Sequence, residues 1–151
     1  MVINGLSIVF AYIYSENIPT RTTWQKAIDS LDVGISLELG SAFDPLKDGQ
    51  RCICTLNGCE NEGVFTLYNG SVKLDESSDE NRYSLLAQER DFYFMFKGGG
   101  AVGSNLCICI LCQALIGGFD SVVSPDGLNR NMNDHLLESI ELLLCEYNAK
   151  N

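Results

Sequence analysis

Apolar and polar residues recur along this chain with two different periods, and the places where the period changes mark out its elements. "LSIVFAYIYS" (6–15) is apolar, β-branched and aromatic over the length of one strand, which predicts a buried strand. Pro19-Thr20 ends that run. In "TRTTWQKAIDSL" (20–31), Trp24, Ala27, Ile28 and Leu31 then stand at i, i+3, i+4 and i+7, one face of an amphipathic helix. The period returns to two in "VGISLEL" (33–39), where Val33, Ile35, Leu37 and Leu39 point inward from a half-buried strand.

"GSAFDPLKDGQ" (40–50) carries Gly, Pro and Asp-Gly and reads as a loop. "RCICTLNG" (51–58) and "EGVFTLYNGSVKL" (62–74) read as two further strands, the second with a hairpin-type dipeptide, Asn69-Gly70, at which it would break. The polar, acidic stretch "DESSDENRYSLLAQERD" (75–91) is a connection with a short helical turn around Tyr83–Gln88. "FYFMF" (92–96) is the strongest strand signal in the sequence. The segment after Gly103 is helical and apolar on nearly every side, so it belongs against a sheet rather than on the surface. "FDSVVSPDG" (119–127) is a short strand stopped by Pro125 and Asp126-Gly127. In "NDHLLESIELLLCEYNAK", Leu136, Leu137, Ile140, Leu143, Leu144 and Tyr147 form one stripe of a last helix.

The resulting order is β-α-β-β-β-β-α-β-α. Consecutive strands in the middle argue for an α+β fold: a single antiparallel or mixed sheet of about five to six strands, with about three helices packed on it. The 151 residues fit one domain, 1–151, without internal repeats.

Charge changes the functional picture. Twenty acidic against ten basic residues give a formal net charge of −10. Such a chain repels phosphate backbones, so nucleic acid is not the expected partner, and a basic protein is. Residues 1–20 lack the basic start and small-residue cleavage site of a signal peptide, and no uninterrupted apolar run approaches the ~20 residues of a membrane span. A cytoplasmic protein without membrane contact is expected. The seven cysteines (52, 54, 59, 107, 109, 112 and 145) are then read as reduced thiols.

Two features hint at chemistry. Gly98, Gly100 and Gly103 stand at G-x-G-x-x-G spacing between a strand and a helix, as in a dinucleotide fingerprint. The ribose-binding acid that should follow is missing: Asp120 falls at the start of the next strand, the wrong end, and only 48 residues remain after Gly103. The structural reading uses the glycines for positive φ and for close approach of helix to sheet. An anion at that helix N-terminus stays open. The cysteines lack the paired C-x-x-C knuckles of a zinc site. Cys109 and Cys112 share a helix face with Cys107 rotated away, and "CICILC" lies in an apolar helix, where cysteine packs as a small hydrophobe. His135, the one histidine, sits beside Asp134 at the start of the last helix, where a solvent-facing role is expected. No hydrolase, zincin or phosphate-loop motif accompanies it. The chain is therefore expected not to be an enzyme and to use no cofactor or metal. A small ligand- or metal-binding domain or enzyme, built on the Gly98–Gly103 turn or the cysteine set, is the alternative.

The candidate contact residues are acidic. Asp75, Glu76, Asp79 and Glu80 form one run, with Glu89 and Asp91 nearby. Asp134, Glu138 and Glu141 form a second strip along the last helix. Complementary charge of this kind speeds encounter and selects partners.

"IPTRTTWQKAIDSL", "FDPLKDGQ", "FMFKGG" and "ALIGGFDSVVSPDG" together resemble a group of small bacterial proteins. That group has an early helix with one Trp, an Asp-Pro loop, a Gly-Gly turn before an Ala/Leu-rich helix, and a Gly-x-x-x-Val-Val strand closed by Pro. The resemblance covers about residues 11–127. In this chain Ala101 and a third glycine occupy the turn where an acidic residue is common, and cysteines replace much of the helix alanine. The resemblance implies an immunity protein of the polymorphic-toxin or contact-dependent growth-inhibition type. Such a protein binds a cognate toxin domain, here expected to be basic and nuclease-like, and neutralises it.

Overall fold

The computed structural model describes residues 8–72, 87–125 and 130–150. Six strands, β1 (Ile8–Ile13), β2 (Leu37–Leu39), β3 (Gln50–Leu56), β4 (Cys59–Ser71), β5 (Phe92–Gly98) and β6 (Val122–Ser124), form one sheet in the order β2-β3-β4-β5-β1-β6. Every neighbouring pair is antiparallel. Among the described residues three α-helices, α1 (Arg21–Asp29), α2 (Val102–Phe119) and α3 (Leu136–Lys150), complete the α+β fold the sequence predicts. Because β5 and β6 both run antiparallel to the intervening β1, the β5-α2-β6 connection joins two parallel strands across a third.

The layers follow from where apolar side chains are. One face of the sheet buries Val9, Ala11, Ile13, Leu37, Leu39, Cys52, Cys54, Leu56, Phe65, Leu67, Phe94 and Phe96. Helix α2 lies on that face, nearest β4, with α1 beside it and α3 packed on its far side. This sandwiching explains why α2 has no polar face: every residue from Gly103 to Cys112 is buried. By length and composition α2 could cross a membrane, yet two-thirds of it is buried within the fold, as in a core helix. Helix α3 needs only one stripe, and it buries Leu136, Ile140, Leu143 and Tyr147.

Local chemistry sets the starts and stops. Thr20 and Thr23 cap α1 reciprocally, the Thr20 hydroxyl accepting from Thr23 N–H and the Thr23 hydroxyl from Thr20 N–H. Trp24 inserts its ring among Phe43, Phe94 and Phe96, and its indole N–H donates to the Leu111 carbonyl at 3.1 Å, fixing α1 to α2. Asp120 ends α2 in the left-handed conformation (φ 55°). Its carboxylate and carbonyl accept from Arg90, which also donates to the Ala87 and Gln88 carbonyls and stacks its guanidinium on Tyr14.

The outer strands of the sheet are closed by side-chain amides. Gln25 of α1 donates to the Leu37 carbonyl and accepts from Leu39 N–H of β2, and Arg21 donates to the Leu39 carbonyl. At the opposite side, Asn133 donates to the Ser121 carbonyl and accepts from Val123 N–H along β6.

Three boundaries differ from the sequence pattern. β4 runs unbroken through Asn69-Gly70, because Gly70 lies opposite Tyr93 and makes room for its ring: a Cβ at Gly70 would sit 2.8–2.9 Å from it. The hairpin instead falls at Asn57-Gly58, where both residues have positive φ (53° and 79°), the two-residue geometry that matches strand twist. β2 is only three residues long; Gly34 turns the chain (φ 85°) ahead of it, and Val33 and Ile35 pack on the core from a loop. The turn expected around Tyr83–Gln88 lies mostly outside the described residues.

Contact between α2 and β4 is too close for side chains at two glycines. A Cβ on Gly103 would stand 2.4 Å from the Glu62 carbonyl oxygen, and one on Gly63 would stand 2.1 Å from Cys107 Sγ. Gly103→Ala is therefore expected to destabilise the fold by about 1–3 kcal/mol. Gly117→Ala, in the same helix but with open space around its Cβ, should stabilise it by up to about 1 kcal/mol through helix propensity. Urea unfolding of the two variants measures both signs.

Candidate functional site

The glycine turn resolves into three separate geometric demands. Gly98 closes β5 beneath the first turn of α2, where a Cβ would meet Ile108 at 3.1 Å. Gly100 takes φ +86° to reverse the chain, and Gly103 permits the approach to Glu62. Asp120 stands at the far end of α2, where Arg90 holds it at 2.9 Å. The arrangement matches the structural reading of the motif.

Five cysteines, Cys52, Cys54, Cys107, Cys109 and Cys112, are buried, while Cys59 and Cys145 are exposed. All three helix cysteines are enclosed, Cys107 included, because α2 is covered on both sides. Burial pushes the thiols of Cys52 and Cys109 up to about 12, and those of Cys107 and Cys112 well above their usual value as well. A thiolate is the form that ligates metal or attacks, and these positions disfavour it. They pack as small apolar groups.

The first acidic run, Asp75, Glu76, Asp79 and Glu80, lies outside the described residues. Asp91 is engaged structurally: it accepts from the Ser15 hydroxyl and N–H, each at 2.7 Å, and these bonds hold its carboxyl below the usual range. The second strip is brought together. Asp134 precedes α3, and Glu138 and Glu141 project from its outward face, all three exposed. At 3.6 residues per turn Cys145 follows on the same line, with Leu137 on one flank and Leu142 on the other. These leucines are 51% and 45% exposed. His135 is exposed beside them.

One arrangement has no counterpart in the sequence pattern. On the sheet face away from the helices, register places Arg51 beside Thr66 and Thr66 beside Lys97. Strand alternation alone would show each as outward-facing; bringing them together requires the β3-β4-β5 pairing. They line an open cleft of about 440 Å³ together with Tyr68, Gly98, Gly99 and Ser104.

The thiol environment gives a pH dependence with a definite sign. The thiols of Cys52 and Cys109 titrate near 9.0 when unfolded and near 12 when folded, so their contribution is complete below pH 9 and is lost as pH rises toward 12. Stability should fall through that window by up to about 1.4 kcal/mol per pH unit for each such thiol. The combined Cys52→Ala and Cys109→Ala variant should show a shallower slope in urea unfolding against pH. At pH 8 a thiol reagent should modify Cys59 and Cys145 promptly and the other five only after unfolding.

Comparison with protein families, with curated proteins and with solved structures finds none that matches this chain.

Proposed function

We propose that this protein acts by binding: it is an immunity protein that covers a cognate, basic toxin domain and needs no chemistry of its own. The observation that carries this reading is the outward face of α3. Glu138 and Glu141 line its centre and Leu137 and Leu142 stand exposed on either flank, so long-range attraction and desolvating anchors occupy one helix surface. Interfaces draw on-rate from complementary charge and affinity from buried apolar groups, and this face offers both. Lys150, the basic residue of α3, is already paired with Glu146 at 3.4 Å, so the strip presents a single sign. A nuclease-like domain, whose active site must be basic to hold a phosphate backbone, is the partner such a face suits.

The test asks whether a neighbouring large reading frame ends in a short basic domain and, with that domain, co-expresses this chain; the absence of any such domain overturns the proposal. Growth should be restored and the two proteins should copurify. The double reversal Glu138→Lys with Glu141→Lys should slow association about tenfold or more at low salt, with most of the difference vanishing at high salt. Leu137→Ala and Leu142→Ala should act on dissociation, at about 1 kcal/mol or more each. Failure of both protection and copurification overturns the proposal.

A further inference from the structure

A second surface, on the opposite side of the molecule from α3, carries the reverse charge. Arg51 on β3 and Lys97 on β5 flank Thr66 of β4 in one cross-strand row. Alternate strands of a sheet lie about 10 Å apart, a span that an oxyanion reached by two long cationic side chains can bridge. The chain has twice as many acids as bases, and Arg51 also lines a neighbouring cleft that includes Glu60. The ion pairs among the described residues are Arg90 with Asp120 and Lys150 with Glu146, so neither Arg51 nor Lys97 meets a carboxylate there. The acids of β4, Glu60 and Glu62, fall outside the lining of the cleft.

The end wall of the cleft is built from groups that donate hydrogen bonds. Ser104, in the first turn of α2, is 5% exposed and lines the cleft. Its Oγ accepts from Val64 N–H at 3.2 Å, and among the described residues no acceptor takes its hydroxyl proton. The N-cap of α2 is Ala101, whose side chain offers nothing to the first-turn N–H groups. At Gly99 and Gly100 a Cβ would meet nothing within 4 Å, so backbone there stands open to a ligand. Tyr68 supplies an aromatic wall.

We propose that this cleft binds a small phosphate ester. Its phosphoryl oxygens lie between the Arg51 guanidinium, the Lys97 ammonium and the Ser104 hydroxyl, and its organic part rests against Tyr68. A guanidinium fork, an ammonium and a hydroxyl that line one cleft suit a multidentate phosphate better than a carboxylate, which has only two oxygens to share. This site is independent of the α3 face and does not rest on the toxin reading.

The test titrates the ¹⁵N-labelled protein with phenyl phosphate, benzoate and phenol at constant ionic strength and follows amide resonances. Phenyl phosphate should shift Thr66, Gly98, Gly99 and Ser104 saturably, with a Kd of about 1 mM or tighter. Arg51→Gln and Lys97→Gln, both exposed and away from the core, should keep the spectrum folded and weaken binding roughly tenfold each. Lys150→Gln should leave it unchanged. The proposal is overturned if shifts do not saturate, if they scatter over the surface, or if Lys150→Gln weakens binding as much as the cleft variants. Benzoate binding as tightly as phenyl phosphate overturns the assignment to phosphate.

Discussion

The fold depends on how close α2 can come to β4. Two missing side chains, at Gly103 and Gly63, let the helix backbone settle against Glu62 and let Cys107 fill the space over the strand. That proximity buries α2 on its inner side, and α3 buries it on its outer side, so a helix without a polar face becomes the middle layer of the domain. Close packing of this kind favours small, apolar residues. Cysteine serves that purpose at Cys107, Cys109 and Cys112, and their burial holds the thiols in the neutral form that belongs in a core. The glycine spacing that resembles a nucleotide motif is thus a by-product of a packing requirement, one glycine turning the chain and two making room.

Most of the architecture was legible because it is written in period. The order of strands and helices, the buried character of α2 and the single stripe of α3 all follow from spacing of apolar residues, which solvent exclusion enforces locally. Errors arose where a local signal competed with a partner across the sheet. Asn69-Gly70 has the composition of a turn, but Tyr93 on the neighbouring strand requires Gly70 for its ring and holds the segment extended. Asn57-Gly58, the same dipeptide, is the actual hairpin because no partner strand claims it. The Arg51, Thr66 and Lys97 row was illegible for a related reason: its members are 15 and 31 positions apart in sequence and meet only through strand register. The acidic strip of α3 needed only helical period and was readable.

Charge is segregated by the layers. Acidic groups of α3 face one way across the thickness of the sandwich, and the cations of the cleft face the other. At physiological salt the Debye length in the surrounding solvent is about 8 Å, so the net charge of −10 does not describe what either side presents to an approaching molecule. The α3 side suits a basic protein surface, and the sheet side suits a small anion that the overall charge would otherwise repel.

The amides of Gln25 and Asn133 carry a consequence for how this protein meets others of its kind. A sheet with free outer strands is a template for further strands, whether from a partner chain or from a misfolded copy. Here each outer strand already has its alternate N–H and C=O groups occupied by a side chain that occupies the place of a neighbour without being able to continue the ladder. With Arg21 on the Leu39 carbonyl and the Met132 N–H on the Val123 carbonyl, these amides disfavour edge-to-edge addition of a further strand and leave association to the faces.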